Sequence, residues 1–118
     1  MRGATAYHSG RLAEAAVADR YRAAGYQLLY ERWRGKAGEI DLILRRGDQF
    51  IFVEVKSSRD FARAAERINR RQMDRICLAA CEFCGELPTG LMTDMRLDAA
   101  LVDRYGRIEI IENAFGEG

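Results

Sequence analysis

Two carboxylates and a lysine, set on adjacent predicted strands, are the residues of this chain best suited to chemistry. The run Gly38-Glu39-Ile40-Asp41-Leu42-Ile43-Leu44 is followed, across Arg46-Gly47-Asp48, by Phe52-Val53-Glu54-Val55-Lys56. Side chains alternate along a strand, so Phe50, Phe52, Glu54 and Lys56 share one face, and Asp41 shares a face with Ile43 and Arg45. A short hairpin at 46–48 sets residue 43 opposite 51 or 52 and brings Asp41 near Glu54. Two carboxylates with one backbone carbonyl suit Mg²⁺, or Mn²⁺, a hard cation that prefers oxygen and keeps several waters. Asp41, Glu54 and the carbonyl of Val55 are the candidate ligands. A divalent ion there would polarise a phosphoryl oxygen and lower the pKa of an attacking water, which is what phosphodiester hydrolysis needs. Lys56 would orient that water or stabilise developing negative charge. The plain alternative is an ion pair at the exposed end of a strand pair.

Two features weigh toward chemistry. Of the 19 basic residues only Lys36 and Lys56 are lysines, so the lysine beside Glu54 points to a need for a compact ammonium that guanidinium does not mimic. Glu14, on the first predicted helix, is either a further metal or water-binding carboxylate or a solvent-facing helix charge.

The elements that must position these groups follow from periodicity. Ser9 to about Ala24 reads as a helix, with Ser9 as N-cap, an apolar stripe of Leu12, Ala15, Ala16 and Ala23, and Gly25 as a stop. Strands are expected at 26–34, 40–45 and 49–56, then one long helix from about Ala62 to Phe83 with Ile68, Ile76, Ala80 and Phe83 near one face. Two more strands follow at 97–104 and 108–112, joined at Tyr105-Gly106. The order α-β-β-β-α-β-β implies an α/β fold, a mixed sheet packed against helices, in one domain over residues 1–118.

These residues resemble the YraN-like family of small bacterial proteins, within the restriction-endonuclease-like (PD-(D/E)xK) nuclease superfamily. The likeness rests on Gly10-x-x-x-Glu14, Gly25-Tyr26, Trp33-Arg34, the run 38–43, Phe52-Val53-Glu54-Val55-Lys56-Ser57 and Asn113-Ala114-Phe115, and it spans nearly the whole chain. It implies a restriction-endonuclease-like α-β-β-β-α-β core. It also implies Asp41 and Glu54 as metal ligands, Lys56 as the catalytic lysine and Glu14 as the helix carboxylate. The superfamily's Pro-Asp is Ile40-Asp41 here, a change usual in the family. Where relatives carry a lysine at the start of the second helix this chain reads Asn69-Arg70-Arg71-Gln72, and where they carry Arg-Phe-Asp it reads Arg96-Leu97-Asp98. Gln72 resembles a glutamine that some of these nucleases place on this helix, and it is a further candidate for contact with the nucleic acid. The implied function is a divalent-metal-dependent DNA endonuclease or structure-specific nuclease. A catalytically silent module that binds nucleic acid or protein is the alternative.

Charge is compatible with a nucleic-acid partner. The formal net charge is +1, yet residues 1–84 carry +5 and residues 85–118 carry −4. Arg59, Arg63, Arg67, Arg71 and Arg75 recur every four residues, with Arg70 beside them, and read as one basic helix stripe partly offset by Glu66 and Asp74. Arg34 and Lys36 lie on the approach to Asp41. DNA with free ends, branches or damage is the expected substrate, read through phosphates rather than base sequence. The small size leaves room for a homodimer or a protein partner. Cys77, Cys81 and Cys84 share a helix face, but a zinc or iron–sulfur site lacks a fourth ligand because the only histidine is the distant His8. Buried or half-buried reduced thiols, no secretory apolar core and no bilayer-length apolar run fit a cytoplasmic protein without a membrane span. Trp33 is expected to pack rather than to stack on a base.

Overall fold

A computed structural model describes residues 2–114, with side chains described from Gly10 onward. Its elements are α1 (Arg2–Ala23), β1 (Gln27–Arg34), β2 (Glu39–Arg46), β3 (Gln49–Ser57), α2 (Phe61–Glu66), α3 (Arg70–Gly85), a 3₁₀ turn (Gly90–Met92), β4 (Asp94–Val102) and β5 (Ile108–Ile111). They form a mixed α/β fold around one sheet, ordered β1-β2-β3-β4-β5. Neighbours run antiparallel except β3 and β4, which are parallel because α2 and α3 carry the chain across between them.

Each sheet face buries a different helix. Leu42, Leu44, Ile51, Val53, Ala100 and Val102 meet Ala13, Val17, Ala18 and Tyr21 of α1. On the other face Ile43, Phe50, Phe52 and Leu97 meet Ile76, Ala79, Ala80 and Phe83 of α3. Phe83 is the hub of this second layer, with the rings of Tyr30, Trp33, Phe50 and Phe52 at 5.7, 5.5, 6.1 and 5.7 Å, mostly edge-on. Trp33 therefore packs, as its sequence context implies.

The first helix differs from expectation at two points. It begins at Arg2, so Ser9 lies inside it rather than capping it. Its buried stripe is Ala13, Val17, Ala18 and Tyr21, while Leu12 is 66% exposed and Ala15 and Ala23 are exposed. The larger apolar surfaces of Val17 and Tyr21 set the rotation. The stop at Gly25 holds: Gly25 has φ +96°, its N–H donates to Arg22 O, and Tyr26 N–H reaches back to Tyr21 O, a Schellman closure.

The helix expected over 62–83 is two helices. Asn69 interrupts it, with extended backbone and a side-chain oxygen accepting from Gln72 N–H at 2.8 Å, and so caps α3. Ile68 falls in the break and is half-buried. The basic stripe is consequently divided among a loop (Arg59), α2 (Arg63), its cap (Arg67) and α3 (Arg71, Arg75). Arg67 ties the break to the sheet, donating from Nη1 to Ser57 O at 2.8 Å.

Arg96-Leu97-Asp98 has a structural role. Asp98 is fully buried and accepts from Arg96 Nε and Nη2, both at 2.9 Å, from the Tyr21 hydroxyl at 2.7 Å and from Asn113 N–H at 2.9 Å. The buried charge is thus paired and hydrogen-bonded, and it pins α1 and the segment after β5 to β4. Phe115 lies outside the described residues. Among those described, no helix is long and apolar enough to cross a membrane.

Candidate functional site

The β2–β3 hairpin has the expected register, with Ile43 opposite Phe52 and the last pair Leu42 opposite Val53. Beyond that pair the strands part. Ile40 packs in the same layer as Ile43, so strict alternation fails at Asp41. The Asp41 carboxylate fills the gap, its Oδ2 accepting from Val55 N–H at 2.8 Å. In an extended strand a residue's C=O points to the same edge as its N–H, so the Val55 carbonyl also faces the gap.

Glu54 lies beside this point, buried at 6% exposure. Its Oε2 is 3.0 Å from Lys56 Nζ and accepts from Gln72 Nε2 at 2.8 Å. Gln72 stands at the third position of α3 after the Asn69 cap, where a glutamine commonly turns back to the cap; here it reaches the sheet instead. Burial pushes the Asp41 carboxyl up to about 7, the nearby Glu54 charge adds to this, and the Val55 hydrogen bond and Lys56 oppose it. Two acids thus share a partly dry gap with one ammonium.

Glu14 approaches from α1. Its Oε1 accepts from Arg32 Nε at 3.0 Å, and its pKa is raised by burial, opposed by that bond and raised further by Asp41. It is near enough to feel Asp41, yet among the described residues no three His, Cys, Asp or Glu side chains converge as a metal cluster. Arg32 holds Glu14 from a left-handed backbone conformation, φ +55°, rare for a residue with a Cβ. Arg32→Ala is therefore expected to be less stable than Arg32→Gly by about 1 kcal/mol, the reverse of the usual strand order, in parallel urea titrations. Equal midpoints, or alanine the more stable, would contradict a strained Arg32.

The loop leading into β2 is clamped from α3. Glu82 accepts from Lys36 N–H at 2.9 Å and Ala37 N–H at 3.0 Å, which lowers its pKa. Gly35 permits this approach, since a Cβ there would lie 2.5 Å from the Trp33 side chain and 2.6 Å from a Glu82 oxygen. Neither Glu82 nor the clamp is legible in the sequence, because it joins residues far apart in the chain.

The basic candidates divide. Lys36 and Arg71 are exposed and in no ion pair among the described residues. Arg34 is 3.7 Å from Glu39, Arg63 is 3.7 Å from Asp60 and Arg70 is 3.7 Å from Asp74, all well exposed. Arg67 is committed to Ser57 and Gln72 to Glu54. The cysteines are free thiols, graded from exposed (Cys81) through half-buried (Cys77) to buried (Cys84), so Cys81 departs from the burial expected of it.

The fold and the cluster together define a mixed α/β protein with a buried carboxylate–lysine group where two central strands diverge. A family profile described as "Uncharacterised protein family UPF0102" matches residues 13–111. The chain is 56% identical over 117 residues to a UPF0102 protein of Ruegeria pomeroyi, covering 99% of this chain and 95% of the relative. It is 55% identical over 115 residues to one from Cereibacter sphaeroides strain KD131, covering 98% of both, and 51% identical over 116 residues to one from Roseobacter denitrificans, covering 98% and 90%. The chain belongs to the UPF0102 family, the YraN-like family that its motifs resemble.

Proposed function

We propose that this UPF0102 protein is a divalent-metal-dependent nuclease that hydrolyses DNA phosphodiester bonds at Asp41, Glu54 and Lys56. One observation carries the reading: Asp41, Glu54 and Lys56 meet at the gap between β2 and β3, with the Val55 backbone hydrogen-bonded to Asp41. The donor set fits a hard cation, since it comprises two carboxylates and a carbonyl edge, with no thiolate or imidazole. Asp41, Glu54 and the Val55 carbonyl would hold Mg²⁺ or Mn²⁺, which when bound polarises the phosphate and acidifies water. Lys56, placed by Glu54, presents an ammonium toward the scissile phosphate and its developing charge. Gln72 holds Glu54 in place, and Glu14 with Arg32 borders the cluster. The element order, with β3 parallel to β4 across the helical connection, also accords with a restriction-endonuclease-like core. Exposed Arg34, Lys36, Arg63, Arg70 and Arg71 supply phosphate contacts around it.

A second reading has one observation in its favour. Glu54 Oε2 is already paired with both Lys56 and Gln72, so the cluster is partly neutralised by the chain's own groups. A catalytically silent module that binds nucleic acid or protein would keep that arrangement. Calorimetric titration with Mn²⁺ separates the two. One ion per chain is expected to bind the wild type, with affinity reduced at least tenfold or so in Asp41→Asn and Glu54→Gln. Absence of Mn²⁺ binding, or binding indifferent to both changes, would count against the nuclease.

A further inference from the structure

The tip of the β4–β5 hairpin lies at the same end of the sheet as the cluster. Lys56 pairs in register with Leu101 and Ser57 with Val102, after which the chain turns. Asp103 builds the turn: its Oδ1 accepts from the N–H groups of Tyr105 and Arg107, both at 2.9 Å, and its Oδ2 from Arg107 Nε at 2.6 Å. Arg104 N–H donates to Arg59 O at 3.3 Å and fastens the tip to the loop after β3.

This braced turn holds Tyr105 out at 68% exposure. The guanidinium carbons of Arg104 and Arg107 each lie 5.1 Å from its ring centroid. Arg107 is fixed by Asp103, whereas the Arg104 side chain makes no ion pair or hydrogen bond among the described residues and lies over the ring. Its guanidinium is free to leave the ring for a phosphate. An aromatic face braced by a rigid turn, bracketed by arginines and set at the same end of the sheet as a candidate phosphodiester site matches what a splayed nucleotide requires.

Resting on the nuclease reading above, we propose that Tyr105 is a stacking platform for an unpaired nucleobase, with Arg104 and Arg107 contacting the flanking phosphates. Single-stranded DNA at an end, flap or gap is then the form of substrate the site engages. Every base offers a π face, so the contact is tolerant of sequence, while bases within an intact duplex are already stacked and cannot reach the ring.

The test is fluorescence anisotropy in EDTA, where binding is read without cleavage, on labelled oligothymidylate and on a blunt two-strand duplex with no unpaired bases. Wild type is compared with Tyr105→Ala and Tyr105→Phe. Tyr105→Ala is expected to weaken oligothymidylate binding about ten- to a hundredfold and duplex binding by no more than about twofold, with Tyr105→Phe close to wild type. The proposal is overturned if wild type does not bind the oligothymidylate, if the alanine variant binds it unchanged, or if both DNAs weaken equally. Cleavage in Mg²⁺ is scored separately. Selective loss of single-strand binding in a protein that never cuts upholds the platform and removes the nuclease; cutting with unchanged binding by Tyr105→Ala does the opposite.

Discussion

Lys56→Ala is expected to lower metal-dependent DNA cleavage by roughly 10²–10⁴-fold while DNA affinity stays within about threefold of wild type. The asymmetry follows from where Lys56 sits. Its side chain is 17% exposed and its ammonium lies 3.0 Å from Glu54, so it adds little to the outer basic surface. Its charge acts at the gap, where water is scarce and a fixed cation has most effect on a developing oxyanion. Mn²⁺ affinity should not fall, because the carboxylates remain and a competing cation has been removed. Lys56→Arg is expected to recover little activity, since a planar fork does not replace a compact ammonium. Single-turnover cleavage beside calorimetric Mn²⁺ titration checks all three expectations. Equal loss of cleavage and metal binding in Lys56→Ala would instead mark the lysine as a structural partner of Glu54.

Asp41→Asn is expected to abolish metal-dependent cleavage and, in EDTA at pH 8, to stabilise the fold on the order of 2 kcal/mol. The sign follows from the raised carboxyl, near 7 in the folded protein against an ordinary 3.8. Between those values the native chain holds a proton that the unfolded chain has released. Stability therefore falls as pH rises through that window, and the loss is complete above it. Asparagine does not ionise and keeps an oxygen for the Val55 N–H, so that dependence should largely vanish. Urea unfolding at pH 5 and pH 8 reads the effect. Mg²⁺ or Mn²⁺ should restore stability to the wild type but not to the variant. A variant less stable than wild type at pH 8 would show that the Asp41 charge is not strained in the metal-free fold.

The parts of this site that lie on one hairpin were legible from the residues alone. Alternation on β3 and the short connection at 46–48 set the register, and the register puts Asp41 beside Glu54. Contacts made between distant elements were not. The Asp98 network needs Tyr21, Arg96 and Asn113 to converge, and the Glu82 clamp joins α3 to the loop before β2. The break at Asn69 left a local signal, a capping residue three before Gln72, but the four-residue recurrence of arginine runs straight through it. Gln72, expected at the DNA, hydrogen-bonds Glu54 because the new helix start aims it at the sheet. The first helix misled through alanine, whose small side chain marks a buried face weakly, so Val17 and Tyr21 decided its rotation.

The central claim is that Asp41, Glu54 and Lys56 form a metal-dependent nuclease site. Cleavage of labelled single-stranded, duplex, flap and four-way-junction DNA tests it most directly, in Mg²⁺, Mn²⁺ and EDTA, with wild type beside Lys56→Ala and Asp41→Asn. Cutting by wild type that needs the metal and disappears in both variants, strongest on substrates with unpaired strands, is the expected result. Equal cutting by all three proteins, or intact DNA that wild type binds and never cuts, would contradict it.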